Sequence, residues 1–501
     1  MNLWEKYDAS FKENASRTAF YIENRFYTYA EFRQYISGSQ QLLLKHVGLM
    51  NGQSIGVMCH DNIETFAAIF ALWFSGCRFV PLHPLHPLIT TIEKIQQSDI
   101  KWIFDTELSQ STNELKVNRL NNKDLKSSES LVIYKQSDCA YIIFTSGSTG
   151  KPKGVPITVK NVNAYVSGFL ELYPDLNSSD RFLQTYDLTS DAAFTGYLNP
   201  LFLGATVYTI PSGSFKYLSI VKILQEQNIT FTKFTPSVLN YLRPYFKSIR
   251  LDSLRHSHFG GEALPYDLVN EWAGCVPNAE ISNGYGPTET TITCTIHRSG
   301  IDQLKEHVYN GIISIGKPFK EVKILIIDEN DQIVAEGEKG ELCIGGNQVM
   351  DGYLNATAET IRPFYVHQSD RGNKERYYRS GDLVFRDSKG FLFFCGRKDD
   401  QLKISGYRIE PAEIELAVSQ LAQGMKSKAY GFQNKRGTDS IVVFIQQYEG
   451  KSDELKDNLR SMLLSALIPE KIISIRQFPL NPNGKVDKSI LFEEYAKQIY
   501  E

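Results

Sequence analysis

The chain has 501 residues, 42% hydrophobic and 22% charged, with a formal net charge of -3. That length holds more than one domain with its own core, and the near-neutral balance excludes a general nucleic-acid binder, which needs a basic surplus or stripe. Seven cysteines run from Cys59 to Cys395 without a CxxC pair, which argues against a zinc cluster or a disulfide framework and fits a reducing cytoplasm.

The N-terminus, MNLWEKYDAS, lacks a basic region followed by an apolar core, so no signal peptide is expected. SIGVMC, IETFAAIFALWF and CRFVPL then read as strand, helix and strand. The apolar run Phe66 to Phe74 falls far short of the roughly 18 residues of a membrane span, so a core helix beneath a sheet is predicted and no membrane partner. YIIFT, ATVYTI and ITFTKF continue the alternation, which predicts an α/β architecture with substantial parallel sheet. From about Val322 the strands crowd together (VKILIID, GELCIGG, YYRSGDL, FLFFCG) between Gly- and Asp-rich turns, as in a mainly antiparallel region. After Gly396 comes the polar segment RKDDQLKISGYRIEPAEIE, then a helix (AEIELAVSQ), a strand (SIVVFIQQY), another helix and a charged tail. These make a small α+β domain. The boundary is set at Asp399, giving domains 1–398 and 399–501.

Tyr141 to Gly154 reads YIIFTSGSTGKPKG, an apolar run that stops at Thr145 and opens into glycines, hydroxyls and lysines. It is not a P-loop, because Gly147 and Gly150 are too close and Pro152 follows Gly150-Lys151. Its inventory still suits an anion: glycines allow backbone N–H groups to approach, hydroxyls donate, and Lys151 and Lys153 supply charge.

FGGEAL begins at Phe259, NGYGPTETT at Asn283, GELCIGGNQVMDGYLN at Gly340, YRSGDL at Tyr378, GRKDDQLKISGYRIEPAEIE at Gly396 and NPNGKVDK at Asn481. With TYAEF, FSGCRFVPL and FTSGSTGKPKG before them, these segments in this order resemble the adenylate-forming superfamily. The resemblance is closest to the amino-acid adenylation domains of nonribosomal peptide synthetases and stand-alone relatives such as D-alanine carrier-protein ligases, and it spans nearly the whole chain.

The resemblance implies a two-step reaction: a carboxylate attacks the α-phosphate of ATP, releasing pyrophosphate, and a thiol then captures the acyl-adenylate. It further implies that Thr145, Ser146, Gly147, Ser148, Thr149, Gly150 and Lys151 hold the phosphates. Gly260, Gly261, Glu262, Asn283, Tyr285 and Gly286 would form the adenine site, Thr288 would bond the α-phosphate, and Glu289 would hold magnesium. Asp382 would accept from the ribose hydroxyls with Arg397 nearby. Lys485 would enter from the small domain to bridge the substrate carboxylate and the phosphate. Asp399 matches the hinge of that mobile domain, and Lys403 and Gly406-Tyr407-Arg408 belong to a loop that serves thioester formation.

In amino-acid-activating members an Asp pairs with the α-ammonium a fixed distance before a Gly-Ala pair, and counting back from Gly204-Ala205 reaches Asp191. Tyr186-Asp187 offers an aromatic-Asp pair in the wrong register, and an N-cap shared with Ser190 is the alternative for Asp191. The same alignment implies a side-chain pocket of Ala192, Thr195, Ser237, Ser257, Phe259, Gly284, Ile292 and Thr293. Hydroxyls dominate this set and no charged group is in it, so a small or uncharged polar amino acid such as alanine, serine, threonine or proline is expected. His256 and His258 have the spacing of a strand rather than a metal site. With no carrier module and no HHxxxDG, the chain resembles a stand-alone activator that loads a separate phosphopantetheinylated carrier protein. The alternatives are an acyl- or aryl-CoA synthetase, in which Asp191 would lack a partner, and a nucleotide-binding scaffold without catalysis.

Overall fold

A computed structural model describes residues 1–48, 52–107, 114–135, 137–146, 152–211, 216–355, 364–368, 372–399, 401–404, 406–435, 437–479 and 486–500. The apolar strands and intervening helices build two sheets with substantial parallel pairing. In the larger, nine strands lie in the order Lys317–Pro318, Thr295–Ser299, Glu280–Tyr285, His256–Gly260, Phe231–Phe234, Arg181–Gln184, Thr206–Thr209, Thr18–Ile22 and Arg25–Thr28. The six strands from Glu280–Tyr285 to Thr18–Ile22 pair in parallel, and the flanking pairs are antiparallel. The six-stranded sheet runs Asn118–Leu120, Trp102–Phe104, Ser54–Met58, Arg78–Leu82, Cys139–Thr145 and Lys153–Thr158.

Each face of the larger sheet buries a separate core, because alternate residues of a strand point to opposite sides. On one face Phe182, Val207 and Phe231 join Tyr165, Phe169 and Tyr197. On the other, Leu183, Phe234, Phe259 and Ile281 pack with Leu239, Leu268 and Trp272. The helix Ile63–Phe74 is buried along its entire length, and its Trp73 stacks on Trp4 at 4.4 Å. A helix apolar all round belongs in a core. No helix among the described residues is long and apolar enough to cross a membrane.

Beyond residue 321 the strands Val322–Ile327, Gly340–Gly346, Phe364–Gln368, Lys374–Arg386 and Leu392–Arg397 pair antiparallel, the β-rich region expected there. The chain divides into two compact units. One comprises Met1–Pro84, Ile92–Phe144 and Gly154–Lys398; the other comprises Leu85–Thr91, Thr145–Lys153 and Asp399–Glu501. In the smaller unit the strand Asp439–Gln446 pairs antiparallel with Ser427–Gln433 and parallel with Lys471–Ile475. The helix Pro411–Leu421 opens on a proline, whose missing N–H costs nothing in a first turn. It packs Ile414 and Val418 against Ile441, Val443 and Ile445. A hairpin of Leu402–Ile404 and Tyr407–Ile409 precedes it.

Candidate active site

The segment after the strand Arg181–Gln184 separates three neighbouring polar residues by task. Asp187 accepts from the backbone N–H and hydroxyl of Thr189 at 2.8 and 2.7 Å, and His83 Nε2 lies 3.2 Å from its other oxygen. Ser190 caps the short turn Asp191–Ala193, accepting from the Ala192 N–H at 3.3 Å. With the cap supplied by Ser190, the Asp191 side chain is free to point inward. It is 8% exposed, and among the described residues its Oδ2 has no hydrogen-bond partner. Burial raises its pKa to about 6 against the pull of the Lys233 charge, the Ile292 N–H and the Thr288 hydroxyl, with Glu289 adding to the rise. A buried oxygen without a donor carries a desolvation cost, which an incoming cation would relieve.

Lys233 is the group absent from the sequence-derived set. It stands in the strand Phe231–Phe234, 5% exposed, and donates to Thr195 Oγ1 at 2.9 Å. The Thr195 and Tyr165 hydroxyls are 2.8 Å apart, and Tyr165 accepts from Asn199 Nδ2 at 3.1 Å. The Lys233 ammonium also lies 5.5 Å from the centre of the Tyr186 ring. Burial lowers its pKa to about 8, opposed by the charge of Asp191. Its hydrogen bond goes to Thr195, so the two buried charges are coupled through space.

Strand register decides which residues accompany Lys233. It pairs with His258, His258 with Ser282, and Gly260 with Gly284, so all five share one face. His258 Nδ1 lies 3.1 Å from both the Tyr173 and Ser282 hydroxyls, and its Nε2 has no partner. Burial, then the Lys233 charge, lowers its pKa far below the usual histidine range, so it is neutral. Ser257 and Phe259 point the other way. Ser257 Oγ accepts from Trp272 Nε1 at 3.0 Å, and Phe259 belongs to the second core. The structure therefore does not bring these two together with Gly284. The positions facing it belong to His258 and Gly260. Ser237, at the start of the helix Pro236–Leu242, donates its N–H and hydroxyl to the Glu262 carboxylate at 2.9 and 2.6 Å.

A strained turn supplies the opposite wall. Thr291 and Ile292 both have positive φ, 58° and 71°, an outlier for β-branched residues. Gln348 holds them: its Nε2 donates to the carbonyls of Thr290, Thr291 and Thr293 at 3.3, 3.3 and 2.9 Å, while its backbone carbonyl accepts from the Thr291 hydroxyl at 2.6 Å. Gly286 lets the chain fold this tightly, since a Cβ there would stand 2.7 Å from the Ile292 oxygen and 2.8 Å from Thr293 Cα. The turn brings Ile292, Thr288 and Glu289 to Asp191. Glu289 is fully buried and accepts from Tyr353 at 2.6 Å.

Asp382, beside Gly381 on the strand Lys374–Arg386, is also buried. One oxygen accepts from the Tyr285 hydroxyl at 2.5 Å and the other from Arg397 Nη1 at 2.6 Å. Arg397 is its cross-strand partner and also donates to the Ser380 carbonyl at 3.1 Å. The Asn283 amide donates to the carbonyls of Ile313 and Ser314 at 3.0 and 3.1 Å, anchoring its strand, and Tyr186 donates to the Gly260 carbonyl at 3.3 Å. In the smaller unit Ser146 donates to the Arg408 carbonyl at 2.5 Å, Lys403 stands half-buried on the hairpin, and Asp399 accepts from the Gln401 N–H at 3.3 Å. Gly147, Ser148, Thr149, Gly150, Lys151 and Lys485 lie outside the described residues.

Residues 7–354 match the model of the AMP-binding enzyme family. The chain belongs to that family. As an AMP-binding enzyme it is an ATP-dependent, AMP-forming ligase, and its relatives narrow it to an amino-acid adenylation domain. Zwittermicin A synthase ZmaJ of Bacillus cereus is 30% identical over 96% of this chain and 93% of its own length. Surfactin synthase subunit 2 of Bacillus subtilis is 30% identical over 98% of this chain, but the match covers only 14% of that larger protein. Among solved structures, the Vibrio cholerae adenylation domain AlmE, in complex with glycyl-adenosine-5'-phosphate, has a TM-score of 0.86 at 25% identity, covering 99% of this chain and 97% of its own. PA1221, a nonribosomal peptide synthetase protein containing adenylation and PCP domains, has a TM-score of 0.85 at 25% identity, covering 97% and 84%.

Proposed function

We propose that this AMP-binding enzyme joins an α-amino acid to ATP as the aminoacyl-AMP, releasing pyrophosphate, and then passes the acyl group to the phosphopantetheine thiol of a separate carrier protein. The observation that carries the reading is the buried Asp191 Oδ2 without a donor, a fitting partner for an α-ammonium. A fatty or aryl acid would leave it unpaired. The near end-to-end matches to ZmaJ and AlmE favour a carrier on another chain.

Two anions must meet in this reaction, so the protein's contribution is positioning and charge. Thr288 binds the α-phosphate, and Glu289, a buried hard oxygen donor, suits magnesium. Gly260, Gly261, Glu262, Asn283, Tyr285 and Gly286 form the adenine site. Asp382 keeps lone pairs for ribose hydroxyls beyond those used by Tyr285 and Arg397. Thr145 to Lys151 are the proposed phosphate ligands, and Lys485 is proposed to bridge the reacting carboxylate and the phosphate. Residues 399–501 move as a domain about Asp399, bringing Lys403 and its hairpin into play for the thiol step. The hydroxyls of Thr195 and Thr293 favour a small, polar substrate; the charge of Lys233 adds a condition that the sequence reading lacked.

Pyrophosphate release is measured with ATP and magnesium against single amino acids, aryl acids and fatty acids. Release with one amino acid is expected. Release only with acids lacking an amino group would move the chain to CoA-ligase chemistry. Lys485→Ala is expected to abolish release while ATP binding persists.

A further inference from the structure

In the absence of substrate, Asp191 and Lys233, both buried, offset one another's charge. An α-ammonium seated on the open Asp191 oxygen ends that balance. Lys233 is then a buried cation whose hydrogen bond goes to a threonine hydroxyl. Its other neighbours do not answer the charge: the Tyr186 ring is 5.5 Å away, and His258 is uncharged. A buried ammonium without an anion is costly enough to reject ligands that leave it so.

The space is also short. Thr195, which holds the Lys233 ammonium, follows Asp191 by only four residues, across the 3₁₀ turn Asp191–Ala193 and into the helix Phe194–Leu203. The floor is tightly filled: a Cβ on Gly284 would come within 2.7 Å of His258 and 3.0 Å of Thr293, and one on Gly260 would come within 2.9 Å of the Gly284 carbonyl oxygen.

Resting on the amino-acid adenylation reading, we infer that Lys233 determines specificity and selects an amino acid whose short side chain ends in a carboxylate, of the size of aspartate. The α-ammonium meets Asp191, the side-chain carboxylate meets Lys233 and Thr195, and the α-carboxylate is left for the phosphate. This replaces the uncharged side chain expected from the sequence.

The test is pyrophosphate release by the full chain with aspartate, asparagine, glutamate, serine, alanine and glycine, repeated with Lys233→Met and Lys233→Arg. Aspartate is expected to give the highest kcat/KM, at least about 100-fold above asparagine, since a site built for a polar group discriminates strongly against an analogue that leaves it unpaired. Lys233→Met keeps the volume and is expected to lose about 100-fold with aspartate and much less with alanine, while unfolding at no lower temperature. Lys233→Arg is expected to keep aspartate ahead of asparagine. A wild-type preference for asparagine, glutamate or any neutral amino acid, or a Met variant that keeps its aspartate activity, overturns the inference and leaves the adenylation reading intact. Release only with acids lacking an amino group overturns both.

Discussion

Asp191 and Asp382 are both carboxylates sunk in the larger unit near a cation, yet they are built for opposite states. Asp382 has a donor on each oxygen, Tyr285 at 2.5 Å and Arg397 at 2.6 Å. Asp191 has a bare oxygen, and its nearby cation, Lys233, donates to Thr195 instead. Asp382 is engaged on both oxygens within the fold, so a ribose bound there as proposed only adds to it. Asp191 keeps one oxygen open even though the strained turn brings the Ile292 N–H and the Thr288 hydroxyl to it, so on the proposed reading its ligand completes it. A satisfied carboxylate organises a site; an unsatisfied one selects what enters.

Breaking the comparison at Asp191 should cost most. Asp191→Asn is expected to lower kcat/KM for the amino acid by about 3–5 kcal/mol, the range for removing one partner of a buried pair, with the KM for ATP nearly unchanged. Because burial lifts the Asp191 pKa to about 6 from 3.8, the folded chain binds the extra proton in that window. The resulting instability is absent below about pH 4, grows as pH rises through about 6, and reaches roughly 3 kcal/mol at neutrality by linkage. If the α-ammonium pairs with Asp191 as proposed, binding needs the ionised form, and the amino-acid KM is expected to climb as pH falls through about 6. A KM flat between pH 5 and 8 would remove Asp191 from its role.

Asp382→Asn should show the complementary pattern. The Arg397 ion pair weakens and ATP binding drops by about 1.5–3 kcal/mol, as for hydrogen bonds to charged groups, while amino-acid KM barely moves. Equal losses for both substrates would mean that the two carboxylates are not independent. The smallest effect is expected from Gln348→Ala, which frees the Thr290, Thr291 and Thr293 carbonyls. A loss of about 1–2 kcal/mol in amino-acid kcat/KM, with ATP binding retained, would tie the strained turn to Asp191.

Much of this was legible in the residues. The alternation of strand and helix patterns gave the parallel sheets, the crowded strands after Val322 gave the antiparallel region, and FAAIFALWF gave a core helix. Three features of the site were not legible by motif. Counting along FGGEAL and its neighbours numbers residues without assigning faces, so Ser257 and Phe259 were grouped with Gly284 although His258 and Gly260 share its side. Lys233 was hidden in ITFTKF, read only as an apolar strand. The signal was present: a lysine amid Phe and Thr in a central strand is buried, and buried lysines are seldom without a purpose. The Thr291 and Ile292 turn had no signal of its own, since its strain is imposed by Gln348 from a distant part of the chain.

The two-sided character of the central strands also bears on how this enzyme could be altered. Residues 233, 258, 260 and 284 share one face, the side proposed for the substrate, whereas 232, 234, 257 and 259 face the second core or its rim. Substitutions on one side share few side-chain neighbours with those on the other, so their effects couple chiefly through the backbone of the strands they share. A library that rewrites substrate choice at the first four positions can therefore be screened separately from one that raises heat tolerance at the second four, and the winners joined afterwards.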